Sequence, residues 1–247
     1  MDTGLQGRVV LITGATRNHG KVSALAFANE GANLLICTRK SMHLLEETAQ
    51  LASQVGAKVV ARQCDVTDEA QVNTLVKTGL AEFGHIDVLL NNAGWRVHGK
   101  LLELDMEEWQ AAVAVNLHGV FLMCKAVLPG MVEQRWGRII NYTGNSFMRG
   151  ILGPGTLKMA TLGLTRAIAQ EYGKFAITAN CIAPWTVDVE RTAGHTGSGL
   201  ILGVEGHAIP RRGSIEECAA LAVFLASEKA GYITGQNYSV NGGAYFL

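Results

Sequence analysis

The chain has no excess of charge of either sign and little proline. Its 21 Lys and Arg balance 21 Asp and Glu, a formal net charge of +0. No basic cluster stands out, so neither nucleic acid nor a membrane surface is expected as a partner. Only four prolines occur in 247 residues. The five cysteines, Cys37, Cys64, Cys124, Cys181 and Cys218, contain no C-x-x-C pair. Scattered among apolar neighbours, they read as buried free thiols of a reducing compartment. No His, Cys and carboxylate cluster has metal-ligand spacing, so no metal is expected. Continuous apolar runs of about 18 residues are absent, as is a basic stretch leading into an apolar one near Met1. A soluble, cytoplasmic protein is the expectation. No Gly-x-Ser-x-Gly elbow points to a hydrolase. Finally, no lysine has a tyrosine four residues before it.

What is present is apolar and glycine-rich: 48% hydrophobic residues and 29 glycines. That suits a buried parallel sheet with tight turns. Short aliphatic runs at 9–13, 33–38, 58–64, 88–91, 138–143, 177–183 and 237–240 read as strands. Helical patterns alternate with them at 21–29, 42–54, 69–83, 106–133, 156–172 and 214–226. Asp105 with Glu108, and Ser214 with Glu217, have capping-box spacing. Such alternation predicts an α/β, doubly wound (Rossmann) parallel sheet of about seven strands with helices on both faces. No composition break divides the chain, so one domain over 1–247 is expected. It includes an irregular loop, 184–210, of the kind that often covers a site.

The first strand runs into Thr13-Gly14-Ala15-Thr16-Arg17-Asn18-His19-Gly20 and then a helix. Glycines at such a turn let backbone approach a pyrophosphate, and the helix N-terminus favours its charge. After the second strand stands Cys37-Thr38-Arg39-Lys40, with no acid to hold a ribose 2′-hydroxyl. Arg39 and Arg17 would instead pair with a 2′-phosphate. NADP(H) is therefore favoured over NAD(H), although Arg39 and Lys40 also read as a solvated helix start.

These segments resemble the short-chain dehydrogenase/reductase family, and in particular its 3-oxoacyl-ACP-reductase-like members. The glycine turn is similar to the family's T-G-x-x-x-G-x-G, with Asn18 in place of the middle glycine. Asn91-Asn92-Ala93-Gly94 reproduces the family's N-N-A-G. Cys64-Asp65-Val66 ends the third strand, where the family's aspartate contacts adenine. Asn116 matches the asparagine of the family's catalytic tetrad, and Val240-Asn241-Gly242-Gly243 matches its tail. The resemblance runs from about Gly7 to Ala244. It implies cofactor contacts from Gly14, Arg17, Asn18, His19, Gly20, Arg39, Asp65, Val66, Asn92, Ala93, Gly94, Lys158, Pro184 and Trp185. It also implies a small-molecule substrate. A homo-oligomer, tetramer or dimer, is implied through the helices at 106–133 and 156–172, the second carrying the small residues Ala160, Gly163 and Ala167.

The departures concern chemistry. Lys158 matches the tetrad lysine, but Pro154 stands where the resemblance places its tyrosine, and Gly144 where it places its serine. Pro154 offers no proton and suits the first turn of a helix. Ser146 can reach back toward the position that Gly144 leaves without a hydroxyl. The family's Pro-Gly after the sixth strand is Pro184-Trp185 here, an indole that could occupy nicotinamide space or merely pack. Val189 stands where the family has a carboxamide-binding threonine, with Thr186 and Thr192 nearby. His98, following N-N-A-G, is the first candidate for a replacement proton carrier and His19 the second. The expectation is an NADP(H)-dependent oxidoreductase of atypical site, with Asn116, Lys158, His98 and Ser146 as catalytic candidates. It would act on a small carbonyl, imine or activated alkene. The alternative is a protein of this fold without redox activity: a lyase, isomerase, cyclase or binding subunit.

Overall fold

The computed structural model describes residues 2–97, 99–190 and 203–246. Seven strands form one parallel sheet: β1 (Val9–Thr13), β2 (Asn33–Thr38), β3 (Val59–Gln63), β4 (Val88–Asn91), β5 (Gly137–Tyr142), β6 (Ile177–Pro184) and β7 (Asn237–Val240). Their order is β3-β2-β1-β4-β5-β6-β7. Every residue of β1, β4 and β5 is buried. In β1 and β4 nearly all residues are aliphatic because helices cover both faces, whereas β5 also buries Arg138, Asn141 and Tyr142.

One face packs against α1 (Asn18–Asn29), α2 (Met42–Gln54) and α7 (Ile215–Ala226), with Phe27, Leu45 and Ala222 in its core. The other packs against α3 (Glu69–Phe83), α5 (Gly119–Gln134) and α6 (Leu152–Tyr172), around Leu75, Met123, Met131 and Ile168. Between α3 and α5 lies α4 (Met106–Val113), joined to α5 by a π-helical turn, Ala114–His118. The single helix expected over 106–133 is therefore interrupted, and Asn116 sits in the interruption. Such wide turns often mark functional positions.

Helix ends follow local chemistry. Ser214 and Glu217 form the reciprocal capping box that their spacing predicts. Asp105 accepts from the Glu108 N–H, half of the second expected box. The α6 helix begins at Leu152, putting Pro154 in its first turn, where a missing N–H costs nothing. The stretch Met106–Gln134 is long and apolar enough to cross a membrane by length and composition, but half of its most apolar window is buried within the fold. Asn116, His118 and Lys125 interrupt it, so it contains no unbroken apolar run of that length.

The chain leaves β1 for β2 and β3, then returns to place β4 on the other side of β1. Ligands of open α/β sheets bind in the crevice at such a reversal, beyond the strand C-termini. The turn after β1 and the N-N-A-G after β4 flank that crevice.

Candidate functional site

The glycine turn is braced from three directions. The Gly14 and Ala15 N–H groups donate to the Cys37 carbonyl at 2.9 and 3.2 Å. Thr13 Oγ1 accepts from the Asn92 and Ala93 N–H groups, both at 3.0 Å. Asn92 Nδ2 reaches back to the carbonyls of Thr13 and Gly14 at 3.1 and 2.9 Å. Gly14 sits at φ 67°, where glycine is favoured. A Cβ on Gly20 would collide with the Gly14 carbonyl and stand 2.6 Å from Asn92 Nδ2. Arg17, at the N-cap of α1, makes no side-chain capping bond. The first N–H groups of α1 therefore have no side-chain acceptor, and an anion suits them.

Asn18 does more than tolerate a glycine position. At φ 48° it turns its amide across the molecule. Its Nδ2 donates to the Glu190 carbonyl at 3.0 Å, and its Oδ1 accepts from the Glu190 N–H at 2.8 Å. The glycine turn is thus clasped to the chain that follows β6.

At the end of β2 the exposed Arg39 lies 5.4 Å from the Trp95 ring centroid and 3.9 Å from Asp65. Asp65 Oδ1 is already held by the N–H and hydroxyl of Thr67. Arg39, Thr67, Trp95, Ala111, Ala114 and Val115 line a cavity of about 150 Å³. Val66 is buried against Gly119, at the start of α5. Arg17 and Gly94 are exposed, and a Cβ on Gly94 would stand 3.3 Å from Asn116 Oδ1.

Around β5 and β6 the expected residues converge in part. Asn116 is buried and fully engaged: Nδ2 donates to the carbonyls of Trp95 and Ala112 at 2.7 and 2.8 Å, and Oδ1 accepts from the Trp95 N–H at 3.3 Å. It shapes the loop after β4 and has no polar atom left over. Ser146 Oγ lies 3.9 Å from where a Cβ on Gly144 would stand, so the hydroxyl borders that position. Lys158 is half-buried, and its Nζ donates to the Tyr142 carbonyl at 3.2 Å. Burial pushes this ammonium down to about 8, and the nearby Arg96 guanidinium adds to the shift.

The His19 ring lies 5.0 Å from the Tyr142 ring, tilted by 33°. Burial, with Arg96, holds its imidazole down to about 4, so it is neutral at pH 7. Its buried Nδ1 has no partner among the described residues. Tyr142 is a packing residue: its hydroxyl bonds Ser23 at 3.2 Å, and burial pushes its ionisation well up. Trp185 packs edge-on to Tyr245, with ring centroids 5.7 Å apart. Thr186, at φ 53°, buries a hydroxyl with no partner among the described residues. His98 and Thr192 lie outside the described residues, as does 191–202 of the expected loop.

Its place just after N-N-A-G marks Arg96 in the sequence as a side chain able to line the pocket, but not that its charge acts on both His19 and Lys158. Sequence reasoning missed the Asn18 clasp. Position alone gave no signal for either interaction, because both depend on loops brought together from distant parts of the chain.

Comparison with known proteins follows the same residues. The family described as Enoyl-(Acyl carrier protein) reductase matches residues 14–245. A 3-oxoacyl-[acyl-carrier-protein] reductase of Synechocystis sp. is 36% identical over 245 residues, covering 98% of each chain. A blue fluorescent protein from a metagenomic library, solved in complex with NADPH, superposes with a TM-score of 0.89 at 28% identity, over 98% of this chain and 99% of that one. An NAD+-bound xylitol dehydrogenase does so with a TM-score of 0.89 at 27% identity, over 97% and 99%. The fold, the glycine turn, N-N-A-G and these full-length matches agree: the chain belongs to the short-chain dehydrogenase/reductase family.

Proposed function

We propose that this chain is an NADP(H)-dependent oxidoreductase acting on a small carbonyl, imine or activated alkene, with a proton source other than a tyrosine. The observation that carries the reading is the uncapped N-terminus of α1 behind a fully braced glycine turn. Its free N–H groups fit a pyrophosphate. The orphaned Thr186 hydroxyl fits a carboxamide, and Gly94 leaves room for a ring to approach. Bound there, a reduced nicotinamide supplies the hydride.

The chain's own residues do the rest. Arg39, held beside Trp95, pairs with a 2′-phosphate, with Arg17 adding charge across the turn. Asp65 and Val66 border the adenine. Asn116 fixes the loop that carries Trp95 and Arg96. Ser146 donates to the substrate oxygen from beside Gly144. Relatives named as 3-oxoacyl-ACP reductases support a carbonyl substrate. The non-redox alternative rests on the empty positions Gly144 and Pro154.

The subunits assemble through α4, α5 and α6. Leu101, Met106, Phe121 and Met159 are exposed near or on those helices, and Gly163 of α6 faces open space. Sedimentation of the purified protein tests for a dimer or tetramer.

The functional reading is tested by fluorescence titration with NADPH and NADH, followed by a panel of ketones, imines and activated alkenes. Tighter NADPH binding with turnover of one class supports it. Absence of dinucleotide binding, or binding without turnover on any class, supports the non-redox alternative.

A further inference from the structure

Among the described residues the site lacks an obvious acid. A hydride added to a carbonyl carbon leaves negative charge on oxygen, and that oxygen needs a proton. Pro154 has none to give. Asn116 spends its amide on backbone, and Tyr142 points its hydroxyl at Ser23. His19 is neutral across the physiological range, so its basic nitrogen carries no proton to donate there.

We propose that Lys158 is itself the catalytic acid of this site, its ammonium protonating the substrate oxygen directly. The inference rests on the oxidoreductase reading above. Its basis is geometric. Lys158 and Pro154 are four residues apart on α6, so they lie on one face of that helix, a turn apart. The side chain thus projects from the face where a tyrosine would have stood. Its Nζ makes one hydrogen bond among the described residues, to the Tyr142 carbonyl at 3.2 Å. An ammonium has three donors. That bond anchors the group at the C-terminal end of β5, beside the Gly144–Ser146 turn, and leaves N–H bonds for a ligand.

The surroundings suit proton transfer. No carboxylate pairs with Lys158 among the described residues. From β6 it faces the buried Cys181 thiol, which is held protonated by a value pushed up to about 11. From the loop after β4 it faces Arg96, whose fixed charge opposes a second cation. From β5 it receives only a carbonyl. A half-buried lysine in such a place stays charged at neutral pH yet gives up its proton readily, with a value near 8.

The step balances. The substrate carbon gains a hydride from a reduced nicotinamide dinucleotide, and the carbonyl π pair moves onto oxygen. One Lys158 N–H bond breaks and one O–H bond forms. The N–H pair remains on Nζ as a neutral amine, which water then reprotonates.

Two measurements test this. In the dinucleotide-free protein, NMR of lysines labelled at Cε and Nζ follows the resonance lost in Lys158→Arg. A midpoint near 8 is expected, and a midpoint at or above about 10 overturns the proposal. In turnover, the wild-type reduction rate should fall above pH 8 as the ammonium is lost. Lys158→Arg keeps the positive charge but cannot release a proton. It should bind NADPH within about threefold of wild type yet lose 10²–10⁴-fold in kcat, on the order of general acid catalysis, and lose the alkaline limb. Primary alkylamines should restore turnover to Lys158→Ala. If Lys158→Arg keeps most of its kcat with the same pH profile, the proposal fails while the oxidoreductase reading stands. If the wild-type protein binds NADPH but turns over no carbonyl, imine or alkene, both fail together.

Discussion

The crevice at the strand C-termini has two unlike walls. On the β1–β4 wall, Thr13, Gly14, Asn92 and Ala93 satisfy one another through four short hydrogen bonds, with two more from Gly14 and Ala15 to the Cys37 carbonyl, and these bonds hold the turn's shape. On the β5–β6 wall, buried polar atoms are left open. Thr186 Oγ1 has no partner among the described residues, and Lys158 has a single one; His19, reaching across from the start of α1 to lie tilted against the Tyr142 ring, leaves its Nδ1 unpaired there too. Orphaned buried polar groups are costly unless something arrives to satisfy them. The first wall is a self-braced frame. The second presents unpaired polar groups, on which the proposed chemistry rests.

The sharpest way to break the frame is Gly20→Ala. Its new methyl has no space between the Gly14 carbonyl and the Asn92 amide. Overpacking of this kind costs about 1–3 kcal/mol and should displace the turn. Dinucleotide affinity should fall by more than about 100-fold, read by fluorescence titration beside a thermal melt. As a control, Gly130→Ala on exposed helix surface meets nothing and should stabilise by about 0.5–1 kcal/mol. Equal effects from the two would erase the distinction between frame and surface.

Arg39→Ala probes the frame's outer end. NADPH binding should weaken by about 1–3 kcal/mol, or about 5- to 150-fold, the scale of a charge-assisted hydrogen bond. NADH binding should change by less than about twofold. Equal affinity of the unaltered protein for both nucleotides would refute the 2′-phosphate role.

Asn92→Ala strips two acceptor carbonyls of their donor. A loss of about 1–2 kcal/mol is expected, read as a fall of roughly 2–4 °C in Tm per kcal/mol. The corresponding truncation on the other wall, Thr186→Val, removes a hydroxyl that bonds nothing in the described structure and should leave the ligand-free Tm nearly unchanged.

His19 contributes a pH dependence with a definite sign. Its folded value, about 4, lies below the ordinary 6.5, so the unfolded chain binds more protons between those values. His19 therefore has no effect above about pH 6.5, and its penalty on the folded state grows as pH falls toward 4. Below 4 it is constant. Melts of wild type and His19→Gln at pH 7 and pH 5 should show a smaller acid-induced drop in the variant. A larger drop would contradict the buried neutral imidazole.

The smallest effect concerns the clasp between the walls. Asn18→Gly removes both bonds to Glu190, and hydrogen exchange at the Glu190 amide should quicken by roughly tenfold, the equivalent of one hydrogen bond. Glu190→Ala leaves that backbone contact and should not change the rate.

Much of this was legible in the chain. The seven strands were placed from the sequence, and β1, β2 and β4 are the plainest, because strands buried on both faces leave a nearly unbroken apolar signature; the outer β3 and β7 are only partly buried and carry polar residues. The glycine turn and N-N-A-G were readable because backbone close to a phosphate demands particular residues at fixed spacing. Helix α1 was placed to begin at Lys21, whereas it begins at Asn18, since a left-handed first residue hid the start. The π turn at Asn116 was invisible because Met106–Gln134 is apolar nearly all round, so the phase slip of one extra residue leaves no mark on its pattern.

The sequence by itself determined the fold, the glycine turn that opens α1, and that Gly144 and Pro154 carry no hydroxyl. Those follow from local geometry: hydrophobic period, left-handed turns, and the presence or absence of a side chain. Only the tertiary structure decided that Asn18 grips Glu190, that Ser146 returns to the edge of Gly144, that Tyr142 spends its hydroxyl on Ser23, and that Arg96 and burial together lower Lys158 and His19. These outcomes depend on distances between segments far apart in the chain. Electrostatic and packing energies respond to those distances, and the order of residues alone does not carry them.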